Sequence, residues 1–336
     1  MANNNYTGAS FPLTRMRRNR LKDWSRRLIK EHTLTVNDLI WPIFVTANKK
    51  TEISSMPGIY RIPLKEISNY VKKAQNIGIP AIALFPETDP NLKDDIGSEA
   101  LNNNNLICEA TRLIKNNCKS IGIITDVALD PYTNHGHDGI IEKDEILNDE
   151  TLEILGQQAL NQASAGADII APSDMMDGRV QHIRKLLDKN NFKNVQIMSY
   201  AAKYASNFYG PFRNAIGSDK NLSKKSKKSY QMDYSNSDEA IREVQLDINE
   251  GADLIMIKPG MPYLDIIYKI KSELKMPTYA YQVSGEYSMI KNAINSNYLS
   301  KNTIIEALTC FKRAGADGIL TYFALEAAMM LKDEKY

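Results

Sequence analysis

From about residue 36 onward, short apolar runs alternate with longer amphipathic stretches. The runs are 39–45 (LIWPIFV), 81–85 (AIALF), 120–128 (SIGIITDVA) and 168–172 (DIIAP), then 195–200 (VQIMSY), 253–257 (DLIMI), 278–283 (TYAYQV) and 318–323 (GILTYF). Each is too short for a globular helix and is bounded by Gly, Pro or Asp, so each is predicted to be a strand. Helical spacing of apolar residues fills segments such as 238–249, 263–274 and 303–313. One junction recurs: Ala-Gly-Ala-Asp at 165–168, Gly-Ala-Asp at 251–253 and Ala-Gly-Ala-Asp at 314–317. Each lies between a helical pattern and an apolar run, with Gly where a helix C-cap is expected. Repeated β-α-β-α units predict a parallel sheet. Eight such units predict an α/β fold of the closed (β/α)8 TIM-barrel type rather than an open doubly wound sheet. The first strand is not followed by GxGxxG, which argues further against a dinucleotide-binding fold.

Two segments depart from this rhythm. Residues 1–35 form an Arg-rich polar arm, with Trp24 and Leu28 as apolar anchors, set before a barrel domain at 36–336. The arm is expected either to be a solvated extension or to pack on a neighbouring subunit. Residues 206–232 are long, polar and rich in Ser, Lys, Gly and Asn, as expected of an active-site lid or a disordered loop. The 42 basic and 40 acidic residues leave a net charge of +2, which gives no global attraction to nucleic acid or a membrane surface. Beyond the arm the chain adds no basic stripe, so nucleic-acid binding is not expected. No apolar run reaches the roughly 20 residues of a membrane span. The N-terminus lacks the apolar core of a signal peptide, and Asp23, Glu31 and Asp38 interrupt any transit-peptide pattern. Cys108, Cys118 and Cys310 have no metal-like spacing and read as reduced thiols of a cytoplasmic protein.

Active sites of α/β barrels lie at the C-terminal ends of the strands. There the sequence places Asp126, Ser173, Asp174, Lys203, Lys258, Ser284 and Tyr322. Lys203 and Lys258 follow consecutive strands, and neighbouring strands lie about 4.8 Å apart. Either lysine alone reads most simply as solvated. Two ammonium groups in one desolvated pocket disfavour each other's charge, and burial acts the same way, so an amine becomes neutral near pH 7. A neutral amine attacks a ketone or aldehyde to give a Schiff base.

The stretches MSYAAKYASNFYGPFR around Lys203, DLIMIKPGMPYLDI around Lys258 and YQVSGEYSMIK after strand seven carry a clear resemblance. With APSDMMDGR at 171–179 and SYQMDYSN at 229–236, they make the chain resemble the porphobilinogen synthase (5-aminolevulinate dehydratase) family over nearly its whole length. The resemblance implies condensation of two 5-aminolevulinate molecules to porphobilinogen with loss of two waters, in tetrapyrrole and haem biosynthesis. It implies a Schiff base on Lys258 for the substrate that supplies the propionate arm and another on Lys203 for its partner. Ser284 and Tyr322 would hold the first carboxylate, and Arg213 and Lys227 on the lid the second. Asp126 is a candidate for proton transfer or for orienting an amine. The family also implies a homo-octamer whose arms embrace neighbouring subunits.

The same resemblance frames the metal question. Zinc-dependent relatives carry three cysteines where this chain has Ala128, Asp130 and Asp138, so no Cys-ligated catalytic zinc is expected. Asp130 and Asp138 could serve a hard cation through water or act as structural charges. His135 and His137, two apart in a Gly-containing turn, are expected to pack or hydrogen-bond locally. Glu243, in EAIREVQLD, corresponds to the ligand of an allosteric Mg²⁺, and a carboxylate with waters suits that ion. The closest rival is a one-lysine Schiff-base enzyme such as a class I aldolase; the second lysine and the basic lid argue against it.

Overall fold

The computed structural model describes residues 9–216 and 226–333. The part of the arm described ends at Thr33 as one compact unit, and the chain from Leu34 forms a second. Within the first, a 3-10 turn at Met16–Arg20 precedes a short helix, α1 (Asp23–Leu28), and neither buries a residue. Phe11, Leu13, Met16, Leu21, Trp24 and Leu28 are 73%, 77%, 66%, 64%, 61% and 78% exposed, an apolar load that nothing in the unit itself covers.

The second unit is the predicted barrel. Its strands are β1 (Leu39–Thr46), β2 (Ala81–Glu87), β3 (Gly122–Val127), β4 (Ile169–Pro172), β5 (Gln196–Lys203), β6 (Leu254–Lys258), β7 (Thr278–Gln282) and β8 (Gly318–Thr321). Each pairs in parallel with the next, and β8 closes on β1 with Leu39 opposite Ile319. β1 and β6 are buried along their whole length, as parallel strands covered on both faces must be. The covering helices are α2 (Ile67–Ile77), α3 (Leu106–Asn117), α4 (Asn148–Ala165), α5 (Arg179–Lys189), α7 (Asp238–Glu250), α8 (Leu264–Leu274), α10 (Thr303–Ala314) and α11 (Ala324–Asp333). On α10 the buried residues Ile304, Ala307, Leu308 and Phe311 recur at helical spacing, the stripe that binds it to the sheet.

The recurrent Gly-Ala-Asp junction has a physical meaning. Gly166, Gly251 and Gly315 cap α4, α7 and α10 with φ of +106°, +109° and +108°, a left-handed conformation open to glycine. The aspartate two residues on then accepts a backbone N–H from the start of an adjacent strand: Asp168 from Ile123 at 2.8 Å, Asp253 from Ile197 at 2.8 Å, and Asp317 from Thr278 at 2.7 Å. Lys115 and Lys271 balance Asp168 and Asp317, both at 2.6 Å. One motif therefore ends a helix, begins a strand and pins that strand to its neighbour.

Among the strand ends that differ from the sequence reading, two bear on the site. β5 runs on to Lys203 because a bulge lets the chain continue: Ser199 faces Ile255 and Ala202 faces Ile257, so β5 spends one more residue there than β6. β8 stops at Thr321, leaving Tyr322 in the turn that follows. After β5 come a 3-10 turn (Asn207–Tyr209), the short helix α6 (Gly210–Ile216) and a second 3-10 turn (Lys227–Ser229); residues 217–225 of the expected lid lie outside the described residues. An additional helix, α9 (Ser284–Asn295), follows β7.

Candidate active site

Lys203 and Lys258 end their strands as register partners, so both amines rise from the same rim of the barrel. Asp126, Asp130, Ser173, Lys203, Phe212, Arg213, Lys227 and Lys258 all line one cavity there, of about 30 Å³. That is space for about one water. With Phe212 and Arg213 of α6 on its wall, a larger ligand can enter only if this segment moves.

The β5 bulge decides what surrounds the amines. Ser199 points away from the barrel interior and donates to Asp247 of α7. The extra residue then lets both Tyr200 and Lys203 face inward. The Lys258 ammonium position lies 5.2 Å from the Tyr200 ring centroid, 5.3 Å from Tyr209, 5.0 Å from Phe212 and 4.7 Å from Tyr281. Ring faces attract a cation. Burial nevertheless pushes the Lys258 pKa down, the Lys203 charge pushes it further, and the carboxylates Asp126, Asp130 and Asp138 only partly oppose, leaving it at about 7. The amine is thus substantially neutral in the physiological range, the state that attacks a carbonyl.

Lys203 is held differently. Its Nζ donates to the Ser173 carbonyl and lies 3.7 Å from Asp138 Oδ2. Asp126 stands between the two chemistries. Burial and the nearby Asp130 raise its carboxyl to about 6, against the opposing pull of Lys258, Ser173 and Lys203.

Asp130 and Asp138 come together, as the sequence anticipated, but around a lysine. Lys227 Nζ donates to Asp130 Oδ2 at 3.2 Å and to Asp138 Oδ1 at 3.0 Å. Burial alone would raise the Asp138 pKa; Lys203 and Lys227 outweigh it and hold the carboxyl below its usual range. Burial likewise disfavours the Lys227 charge, and the two aspartates reverse that and raise its pKa. Ala128 is buried and offers only its carbonyl, which accepts from Gln158. Among the described residues no three His, Cys, Asp or Glu side chains are grouped to hold a metal. This aspartate pair is neutralised from within and by itself does not fit a cation. His135 bonds the Asp95 carbonyl at 3.1 Å and His137 the Tyr230 hydroxyl at 3.1 Å, the local roles expected of them.

Ser284 and Tyr322 stand nearby with their hydroxyls engaged. Ser284 Oγ accepts from the Phe212 N–H at 2.9 Å, and the Tyr322 and Tyr281 hydroxyls are 2.7 Å apart. Glu243 is apart from these groups. It lines a separate cavity of about 420 Å³ with Asp177 and Glu239. Burial raises its pKa, and Asp247, Asp177 and Glu239 add to the rise against Arg179. Glu243, Asp177 and Glu239 thus turn an excess of carboxylate to this cavity, although among the described residues they are not grouped closely enough to hold a metal by side chains alone.

This geometry agrees with what the chain is similar to. A sequence profile of the family described as Delta-aminolevulinic acid dehydratase matches residues 13–330. The chain belongs to that family. A protein of that name from Bradyrhizobium diazoefficiens is 56% identical over 323 residues, 95% of this chain and 91% of its own length. One from Methanothermus sociabilis is 52% identical over 318 residues, covering 94% of this chain and 98% of its own. Among solved structures, the Toxoplasma gondii ME49 enzyme in complex with the reaction product porphobilinogen superposes with a TM-score of 0.93. It is 44% identical and covers 98% of this chain and 94% of that one.

Sequence reasoning singled out the charged residues that line the two-lysine cavity and missed the rings around Lys258. Tyr281 was within reach, since it lies in a predicted strand two residues before the strand's end. Tyr200 was not: counted back from Lys203 by plain alternation it would face outward, and only the bulge between them, which no local pattern announces, lets both face inward.

Proposed function

We propose that this chain condenses two 5-aminolevulinate molecules to porphobilinogen with release of two waters. The observation that carries the reading is the pair of amines at register-matched strand ends over one cavity, in a chain of this dehydratase family. The neutral Lys258 amine attacks the ketone of one substrate, and the carbinolamine loses water to give the imine. Lys203 does the same for the second substrate. Ser284 and Tyr322 hold the first carboxylate as hydroxyl donors, for which their present bonds to the Phe208 carbonyl and the Tyr281 hydroxyl are exchanged. Arg213 and Lys227 hold the second. Lys227 already faces two carboxylates, which supports anion recognition by this side chain. Asp126, half protonated near pH 6, is placed to pass a proton to or from either lysine-bound substrate.

Mg²⁺ is proposed at Glu243, with Asp177 and Glu239 lining the same cavity. Bound there it would neutralise a carboxylate cluster, a stabilising rather than a chemical contribution. The exposed apolar side chains of the arm support a homo-oligomer, proposed to be an octamer, in which the arm packs on another subunit. No helix among the described residues is long and apolar enough to cross a membrane; a cytoplasmic location is proposed with it.

The test is porphobilinogen formation from 5-aminolevulinate by chelator-treated protein, with Mg²⁺ or Zn²⁺ restored separately. Product restored by Mg²⁺ and not by Zn²⁺ supports both the reaction and the Glu243 assignment. Product without any metal keeps the reaction and removes the metal. No product under any condition removes the reaction.

A further inference from the structure

Glu286 lies two residues beyond Ser284 in the first turn of α9 and is fully buried. Its carboxylate accepts three backbone N–H groups. One belongs to Val283, 2.6 Å away, and caps the residue's own helix. The other two belong to Gly260, at 3.3 Å, and Met261, in the turn immediately after Lys258. A cap would need only the first. The same carboxylate therefore ties the strand end that carries Lys258 to the helix start that carries Ser284.

Both sides of this bridge are rigid. The Lys258 carbonyl accepts from the Tyr204 N–H at 2.9 Å and from the Tyr209 hydroxyl at 3.1 Å. At Gly285, a Cβ would stand 2.5 Å from the Phe208 carbonyl oxygen, so α9 begins in direct backbone contact with the 207–209 turn. Glu286 has no cation partner among the described residues, and burial pushes its carboxyl up to about 7 against the three N–H donors. An uncompensated buried carboxylate is costly unless its acceptors are well used.

We propose that Glu286 is a positioning residue that fixes the spacing between the amine of Lys258 and the hydroxyl of Ser284, and so selects the number of carbons between ketone and carboxylate in the substrate. The proposal rests on the reading above, in which Lys258 forms the imine and Ser284 with Tyr322 binds the carboxylate of the same molecule. In a 4-oxo acid two methylenes separate those groups; in a 5-oxo acid there are three. Discrimination against one misplaced methylene in a fixed site runs on the order of 10–200-fold.

The test uses the full-length protein, Glu286→Gln and Glu286→Asp. Borohydride trapping with 4-oxopentanoate, 5-oxohexanoate or acetone is read by mass spectrometry as adducts on Lys258, over a range of ketone concentrations. Aspartate at this position can still cap α9 but falls one methylene short of Gly260 and Met261, which separates bridging from capping. Wild-type protein is expected to favour 4-oxopentanoate over 5-oxohexanoate by about tenfold or more. Both variants are expected to lose most of that preference while acetone labelling stays near wild type. An unchanged preference in folded variants overturns the proposal and leaves the two-lysine reading standing. Acetone labelling that falls in step with the keto acids places the effect on the amine itself and also overturns it. Failure of both variants to fold assigns Glu286 to stability alone. Absence of any Lys258 adduct in the wild type overturns the two-lysine reading and this inference with it.

Discussion

The Lys258 pKa is brought down to about 7, where half the amines are neutral, for two separable reasons, burial first and the neighbouring Lys203 charge second. Removing the second should raise its pKa. In Lys203→Met the midpoint of the pH profile for trapping 4-oxopentanoate on Lys258 is expected to move upward from about 7, with less adduct at pH 7 and recovery at higher pH. An unmoved midpoint would mean that burial acts alone. Lys227 makes the opposite case, a cation kept charged by its neighbours. Lys227→Met leaves Asp130 buried without its ion-pair partner and Asp138 with Lys203 alone, and removing one partner of a buried ion cluster costs about 3–5 kcal/mol. In that variant burial, no longer opposed by Lys227, lifts the folded-state pKa of Asp130 further above that of the unfolded chain. Such groups favour the folded state only while protonated, so the loss grows as pH rises through the carboxylate range. Urea unfolding at pH 5 and pH 8 should show the larger deficit at pH 8. Lys203 and Lys258 were legible in the sequence because each follows a recognisable strand, whereas Lys227, Asp130 and Asp138 were reached only through the family resemblance. Tyr200 and Glu286 were reached by neither route. The first shares the barrel interior with Lys203 only because a bulge lies between them, and the second works through N–H groups 25 and 26 residues earlier in the chain.

At the level of elements, the Gly-Ala-Asp junctions explain why the barrel could be read from one chain. They mark where a helix must stop and a strand begin, and the structure adds that the aspartate also fastens two strands together. Asp253 is a clean test, since its Oδ2 accepts the Ile197 N–H at 2.8 Å at the base of β5, away from the lysine-bearing end. Asp253→Ala leaves that N–H without its acceptor, at a cost of about 1–3 kcal/mol. Asp253→Asn keeps an oxygen acceptor and should lose less. Denaturant unfolding should rank the three proteins in that order, while kcat/KM at a temperature where all are folded stays at the wild-type value. A fall in kcat/KM for the alanine variant would show that strand fastening at the base reaches Lys203 at the top. Strand ends were the least legible feature. β5 outruns its apolar pattern by three residues because Ala201, Ala202 and Lys203 carry no strand signal of their own, and pairing with β6 supplies it.

For the whole molecule, the contrast between the two units is the informative quantity. The barrel buries a continuous core from Leu34 to Ala328, whereas the arm buries nothing within its helices and exposes Trp24, Leu28 and five other large apolar side chains. A folded chain that presents so much apolar surface along a short segment is built to lay it on another protein surface. If that surface is a second copy of this chain, the arm is an assembly element and the barrel is folded without it. Deletion of residues 1–33 should then leave the circular dichroism and thermal transition of the barrel cooperative while light scattering reports a smaller particle. Trp24→Ser with Leu28→Ser should reduce the particle size in the same direction, because each loses the roughly 25 cal/mol per Å² that burying its apolar surface contributes. Unchanged particle size in both would show that the barrel faces assemble on their own and that the arm's apolar residues serve another contact.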